Sequence, residues 1–161
     1  MKPSLLNLIS FWPPFLVSGI RVRRYLKAHR VLEVEMGLRF WNWNHERSHF
    51  GGSLYAMTDP FYALLIREHL EEKVEVWVKS ATVHFKRPGR GTVTARFELS
   101  QNKLQEIRLA LGHSRKAEPS FKIEIKDDSD KVVAVVEQVV YVRRRKSLIG
   151  SGPTRLKSRA S

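Results

Sequence analysis

Asp59 is the residue whose setting most invites chemistry. It stands in the longest helical pattern of the chain, Ser53 to Leu70, among apolar neighbours. A carboxylate in such surroundings is costly unless a partner or a substrate uses it. Its chemistry would be that of a general base for water, or of a nucleophile. Tyr55 and Tyr62 share its helical stripe, and either can donate a hydrogen bond to it. Seven residues before Asp59 stands Gly52, and with its neighbour Gly51 it lies just before the helix. Paired glycines allow a sharp turn and the close approach of a ligand. The first amides of a helix are unpaired and lie at its positive end, so they suit an oxygen that turns negative during attack on a carbonyl. The plainer alternatives are an Asp held by its tyrosines and an ordinary tight turn. The residues alone leave both open. A third cluster, Lys86, Arg87 and Arg90 around Pro88 and Gly89, suits phosphate groups or a solvated turn.

These groups need elements to carry them. From Val31 to Phe40, Leu32, Val34, Met36, Leu38 and Phe40 alternate with Glu33, Glu35 and Arg39, as in a half-buried strand. Asn42 to Gly52 reads as a loop. In the helix, Leu54, Met57, Phe61, Leu64 and Leu65 form one stripe, and Tyr55, Asp59, Tyr62 and Ile66 the opposite one. A helix apolar on both sides is expected to be buried on both sides. Pro60 removes a hydrogen bond to Ala56 and should kink it, freeing that carbonyl. Strands are expected at Val74 to Phe85, Thr92 to Leu99, Phe121 to Lys126 and Val132 to Val142. Turns fall at Pro88 to Gly89 and Asp127 to Asp130. Ser100 should cap a short helix that ends at Gly112.

Leu5 to Ile20 is apolar but broken by Pro13 and Pro14. It is shorter than the ~20 residues a spanning helix needs. It is expected to dock as a helix, with contact at a membrane surface as the lesser alternative. No export signal is evident, so the expected location is cytoplasmic. The order of elements predicts an α+β domain, with a five- to six-stranded antiparallel sheet wrapped around one long central helix. The expected division is a helical segment over 1–30, the main domain over 31–146 and a basic, disordered tail over 147–161.

The 161 residues fit one domain. The absence of cysteine excludes disulfides, a thiol nucleophile and thiolate-bound metal. The histidines show no metal-ligand spacing, so no metal is expected. The net charge is +13, and seven of the positive charges come from Arg143 onward, with no acid there. Such a stretch suits a solvated tail or a polyanion partner. No nucleic-acid motif accompanies it, so no specific nucleic-acid partner is expected.

The segment from Asn44 through His49, Phe50, Gly51 and Gly52 to Asp59 resembles the signature of hot-dog-fold thioesterases of the PaaI-like group. That family carries an Asn, a His-Gly-Gly turn and an acid seven residues after the second Gly. The stretch Val83 to Gly91 is similar to the family's strand entering a basic, Pro-containing turn. The resemblance spans roughly Val31 to Val142, with the N-terminal helical segment as an addition. Phe50 departs from the pattern by separating His49 from the glycines, and Pro60 follows the acid directly. The resemblance implies that Asp59 activates water or attacks a thioester carbonyl, that Gly52 and Gly51 hold the oxyanion, and that Asn44 or His49 orients water or the carbonyl at a dimer seam. It implies an acyl-CoA or acyl-carrier-protein substrate, with the acyl chain near Tyr55, Tyr62 and Trp77 and the phosphates at Lys86, Arg87 and Arg90. No cofactor is expected beyond the coenzyme A of the substrate. A homodimer or homotetramer is implied. A non-catalytic acyl-CoA-binding protein of the same fold is the alternative.

Overall fold

A computed structural model describes residues 5–70 and 72–145. Two short helices, α1 (Leu5–Leu8) and α2 (Pro13–Ser18), are joined by a 3-10 turn at Ile9–Phe11. Gly19, at φ 75°, ends α2 in the left-handed region that favours glycine. The chain then runs through β1 (Ile20–Leu26), β2 (Val31–Gly37), α3 (Gly51–Ala56), α4 (Phe61–His69) and β3 (Val74–Phe85). It continues through β4 (Thr92–Glu98), α5 (Gln101–Ser114), β5 (Lys116–Ala117), β6 (Ser120–Asp127) and β7 (Val132–Arg144). The strands form one seven-stranded antiparallel sheet in the order β1-β2-β4-β6-β7-β3, with β5 also paired to β7.

Period-two alternation builds the inner face of the sheet. Leu32, Val34 and Met36 of β2 stand beside Val93, Ala95 and Phe97 of β4, and Ile123 and Ile125 of β6 stand beside Val136 and Ala134 of β7; all are buried. Leu54, Met57, Phe61, Leu65 and Ile66, from α3, the turn after it and α4, complete the core. Burying each such side chain is worth about 1.5–3 kcal/mol. β4 and β6 pair only from Val93–Asp127 to Ala95–Ile125. Past that point the ring of Tyr62 fills the seam, 5.4 Å from Phe97 and stacked at 3.8 Å on Phe121.

Four expectations change. The long helix is two helices, because residues 57–60 form turns. Pro60 has no amide to continue α3, and α4 restarts where Leu64 N–H donates to the Pro60 carbonyl at 2.9 Å. The segment expected to be helical over 1–30 contains β1, an edge strand whose Arg21, Arg23 and Arg24 mask its alternation. Together with β5 this raises the strand count to seven. The strand expected to reach Phe40 stops at Gly37, and Phe40 is exposed. Ser100 does cap α5, its Oγ accepting from Lys103 N–H at 3.2 Å. Arg115 in the left-handed region, rather than Gly112, ends that helix. The tail expected over 147–161 lies outside the described residues.

Gln138 of β7 is buried, and neither atom of its amide has a partner among the described residues. A buried amide without partners forfeits about 1–3 kcal/mol. Gln138→Met should therefore raise the urea midpoint at unchanged slope. A lower midpoint would show that the amide is satisfied in the assembled protein.

Candidate active site

The break at Pro60 sets the position of Asp59. Thr58 N–H and Thr58 Oγ both donate to the Tyr55 carbonyl at 2.8 Å, closing α3 into a tight turn. Asp59 N–H reaches the Ala56 carbonyl at 3.4 Å, so that carbonyl is not left free as the kink suggested. Tyr55 Oη donates to Asp59 Oδ1 at 3.0 Å. Asp59 Oδ2 has no hydrogen bond among the described residues. Burial, and then the hydrogen bond and charge of Asp59, push the Tyr55 phenol up to about 12, which keeps it a donor at neutral pH. Half-buried Asp59 borders a cleft of about 190 Å³ between α4 and β3, walled by Pro60, Ala63, Leu64, Val76 and Val78. Arg67 and Trp77 also border it.

The loop before α3 is held by hydrogen bonds rather than by a core. Asn44 Oδ1 accepts from the amides of Glu46 and Ser48 and from Ser48 Oγ. His49 N–H donates to the Gly89 carbonyl at 2.9 Å. His49 Nε2 lies 3.0 Å from the Gly91 carbonyl. A carbonyl only accepts, so the proton sits on Nε2, and Nδ1 is bare, buried and without a partner among the described residues. His49 thereby straps the basic turn to the glycine loop. The amides of Gly51 and Gly52 have no acceptor among the described residues, as the first turn of a helix dictates. Phe85 packs over Gly51 and Phe50 over Gly52, so closely that a Cβ at either glycine would press on a ring.

The structure thus joins Asp59, Tyr55 and a cleft, and brings the Gly51–Gly52 turn beside the turn of Lys86, Arg87 and Arg90. Those three basic side chains are exposed. It separates others. Tyr62 is buried in the β4–β6 seam, turned from Asp59 by the helix break. Trp77 stays at the border of the Asp59 cleft, its ring tilted against Tyr141 at 4.5 Å. Asn44 spends its bonds within the loop, and His49 spends its own on the Gly89 and Gly91 carbonyls of the basic turn. Sequence reasoning missed Ala63, Val76 and Val78 as cleft walls and Phe50 and Phe85 as covers of the glycines. The alternation of β3 held the signal for Val76 and Val78, because inward residues of an edge strand must face something. Among the described residues, no group of histidines and acids could hold a metal. No helix there is long and apolar enough to cross a membrane.

The matching family model is a domain of unknown function, DUF4442, which spans residues 5–142. The chain belongs to the DUF4442 family. The match starts at residue 5, so the N-terminal helices lie within the family's own domain. No curated protein sequence matches the chain. Among solved structures, the domain is similar to a Pseudomonas aeruginosa protein of unknown function described as a probable thioesterase. That match has 22% identity and TM-score 0.79, covering 90% of this chain and 97% of that one. A Haemophilus influenzae thioesterase is similar at 19% identity and TM-score 0.65, covering 86% and 88%. The PaaI protein of the Escherichia coli phenylacetic acid degradation operon is similar at 18% identity and TM-score 0.61, covering 89% and 94%. These likenesses establish the hot-dog fold for the DUF4442 domain.

Burial lowers the His49 pKa below the usual histidine value, and the bond to Gly91 offsets only part of this. The folded protein then binds fewer protons than the unfolded chain just below pH 6.5. The stability that His49 contributes is complete above that pH and is lost as the pH falls towards its folded pKa. Urea melts of wild type and His49→Gln should diverge in this window, with the variant showing the flatter pH dependence.

Proposed function

We propose that this protein is a thioesterase that hydrolyses a fatty-acyl or related acyl thioester, carried on coenzyme A or on an acyl-carrier protein. The observation that carries the reading is the state of Asp59. One oxygen is held by the Tyr55 hydroxyl, and the other has no hydrogen bond among the described residues and borders a cleft; the glycine turn, with two unpaired amides, opens the helix that leads to Asp59. Asp59 takes a proton from water as the water oxygen bonds to the thioester carbon. The carbonyl oxygen becomes negative and is met by the amides of Gly52 and Gly51. Collapse breaks the carbon–sulfur bond, and the proton passes from Asp59 to the leaving thiolate, giving free acid and thiol. A positioned base is worth ~10²–10⁴-fold, and one oxyanion donor ~10²–10³-fold. In this reading Lys86, Arg87 and Arg90 meet the coenzyme's phosphates. Asn44 and His49 serve the reaction by holding the glycine loop in place.

A cleft of about 190 Å³ is small beside the ~300–1,000 Å³ of ordinary ligand pockets. It adjoins β3, an edge strand of twelve residues whose Ser80, Ala81 and Thr82 are exposed. An open edge of that length is a template for pairing. A second copy added along β3 would deepen the cleft, so we propose a homo-oligomer built on that edge.

Thiol release from an acyl-CoA panel tests the reading. Asp59→Asn should lower turnover by ~10²–10⁴-fold with an unchanged melting curve. Tyr55→Phe should have a smaller effect in the same direction. Equal rates in wild type and Asp59→Asn would remove the carboxylate from the mechanism. Acyl-CoA binding without thiol release would favour the non-catalytic alternative.

A further inference from the structure

Six large apolar side chains around α2 lie between 52% and 73% exposed: Phe11, Trp12, Leu16, Val17, Phe40 and Trp41. They come from two separate stretches of chain, and the structure holds those stretches together. The Trp41 indole N–H donates to the Val17 carbonyl at 3.1 Å, and Phe40 packs edge-on to Trp41 at 4.8 Å. Beneath them, buried Asn42 donates to the carbonyls of Ser18 and Gly37, and its oxygen accepts from Arg39 N–H at 2.7 Å. Buried Phe15 anchors α2 from below, 5.7 Å from Phe61. The apolar side chains therefore stand out from a fixed base.

Exposed apolar groups that are gathered in this way mark a binding surface. The charge around them selects the partner. The first acidic residue of the chain is Glu33, whereas Arg21, Arg23, Arg24 and Arg39 adjoin the patch in sequence. Glu35 pairs with Arg21 and Arg23 together, so one carboxylate serves two guanidiniums. Tryptophan and phenylalanine flanked in sequence by arginines fit the headgroup layer of an anionic bilayer. We propose that this face docks the protein on an anionic lipid surface, with the aromatic and aliphatic tips at the headgroup–acyl boundary and the arginines on lipid phosphates. The docking stands on its own observations and does not depend on the thioesterase reading.

The test is co-sedimentation of the full chain with phosphatidylcholine vesicles, with and without phosphatidylglycerol. Wild type should bind the anionic vesicles. A variant carrying Trp12→Ser, Leu16→Gln and Val17→Gln should partition roughly tenfold or more weakly while keeping its melting temperature, because these side chains are exposed. Tryptophan emission of the wild type should shift to the blue with anionic vesicles, a readout that needs no variant. Unchanged binding in the variant would assign the affinity to basic residues elsewhere and overturn the proposal. A wild type that ignores the vesicles, but whose mass falls when the patch is substituted, would overturn it as well and make the face a contact between copies.

Discussion

Pro60 has no amide hydrogen, and the arrangement around Asp59 follows from that lack. An unbroken helix would place Tyr55, Asp59 and Tyr62 on one stripe. Instead α3 ends at Ala56, Thr58 spends both its donors on the Tyr55 carbonyl, and α4 starts again from the Pro60 carbonyl. The turn keeps the Asp59 carboxylate against the Tyr55 hydroxyl, where it is half-buried instead of sealed in the core. It also rotates Tyr62 into the sheet seam, where its ring joins Phe97 to Phe121 across a gap that β4 and β6 do not bridge by hydrogen bonds. A proline that breaks a helix costs ~3 kcal/mol. Here the break separates a core aromatic, Tyr62, from a half-buried acid, Asp59.

The second constraint is the buried imidazole of His49. Its backbone and ring reach two carbonyls of the turn after β3, Gly89 and Gly91. The same turn carries Lys86, Arg87 and Arg90, and the residue before it, Phe85, rests on Gly51. The glycine loop, the basic turn and the end of β3 are therefore tied together. Protonating His49 would give Nδ1 a hydrogen with no acceptor in a buried place, which is why burial dominates its titration.

Much of this was legible in the chain. β2, β4 and β6 alternate because each has one wet and one buried face, β3 alternates over Val74–Val78, β7 starts as a valine run because it is buried on both faces there, and Gly51–Gly52 and Asp59 stand out by type and spacing. The rest was hidden for physical reasons. β1 lies at an edge, and only Ile20 of its side chains is fully buried, so its arginines drown the period. Phe40 looks like a core residue by type, but β2 has already ended at Gly37. Tyr62 sits on the right stripe only for a continuous helix. The bonds of Asn44 and His49 are loop contacts across turns, and spacing carries no trace of them. That the N-terminal helices belong to the domain itself comes from packing on β1 and from a family match that starts at residue 5.

The two edges of the sheet then have different fates. β1 is guarded by a bulge between Val22 and Arg24, by exposed arginines and by the helices packed against it, all of which discourage a further strand. β3 is long and carries only Glu75 and Lys79 as charges, and its inner residues Val76 and Val78 wall the cleft beside Asp59. A second copy joined along β3 would cover the acid and leave the face around α2 outward on each protomer, because β1 and β3 lie at opposite ends of the sheet. Pairing at one edge and lipid docking near the other are therefore compatible in a single assembly. An acyl chain leaving a bilayer would meet an apolar surface on the same domain that holds the cleft.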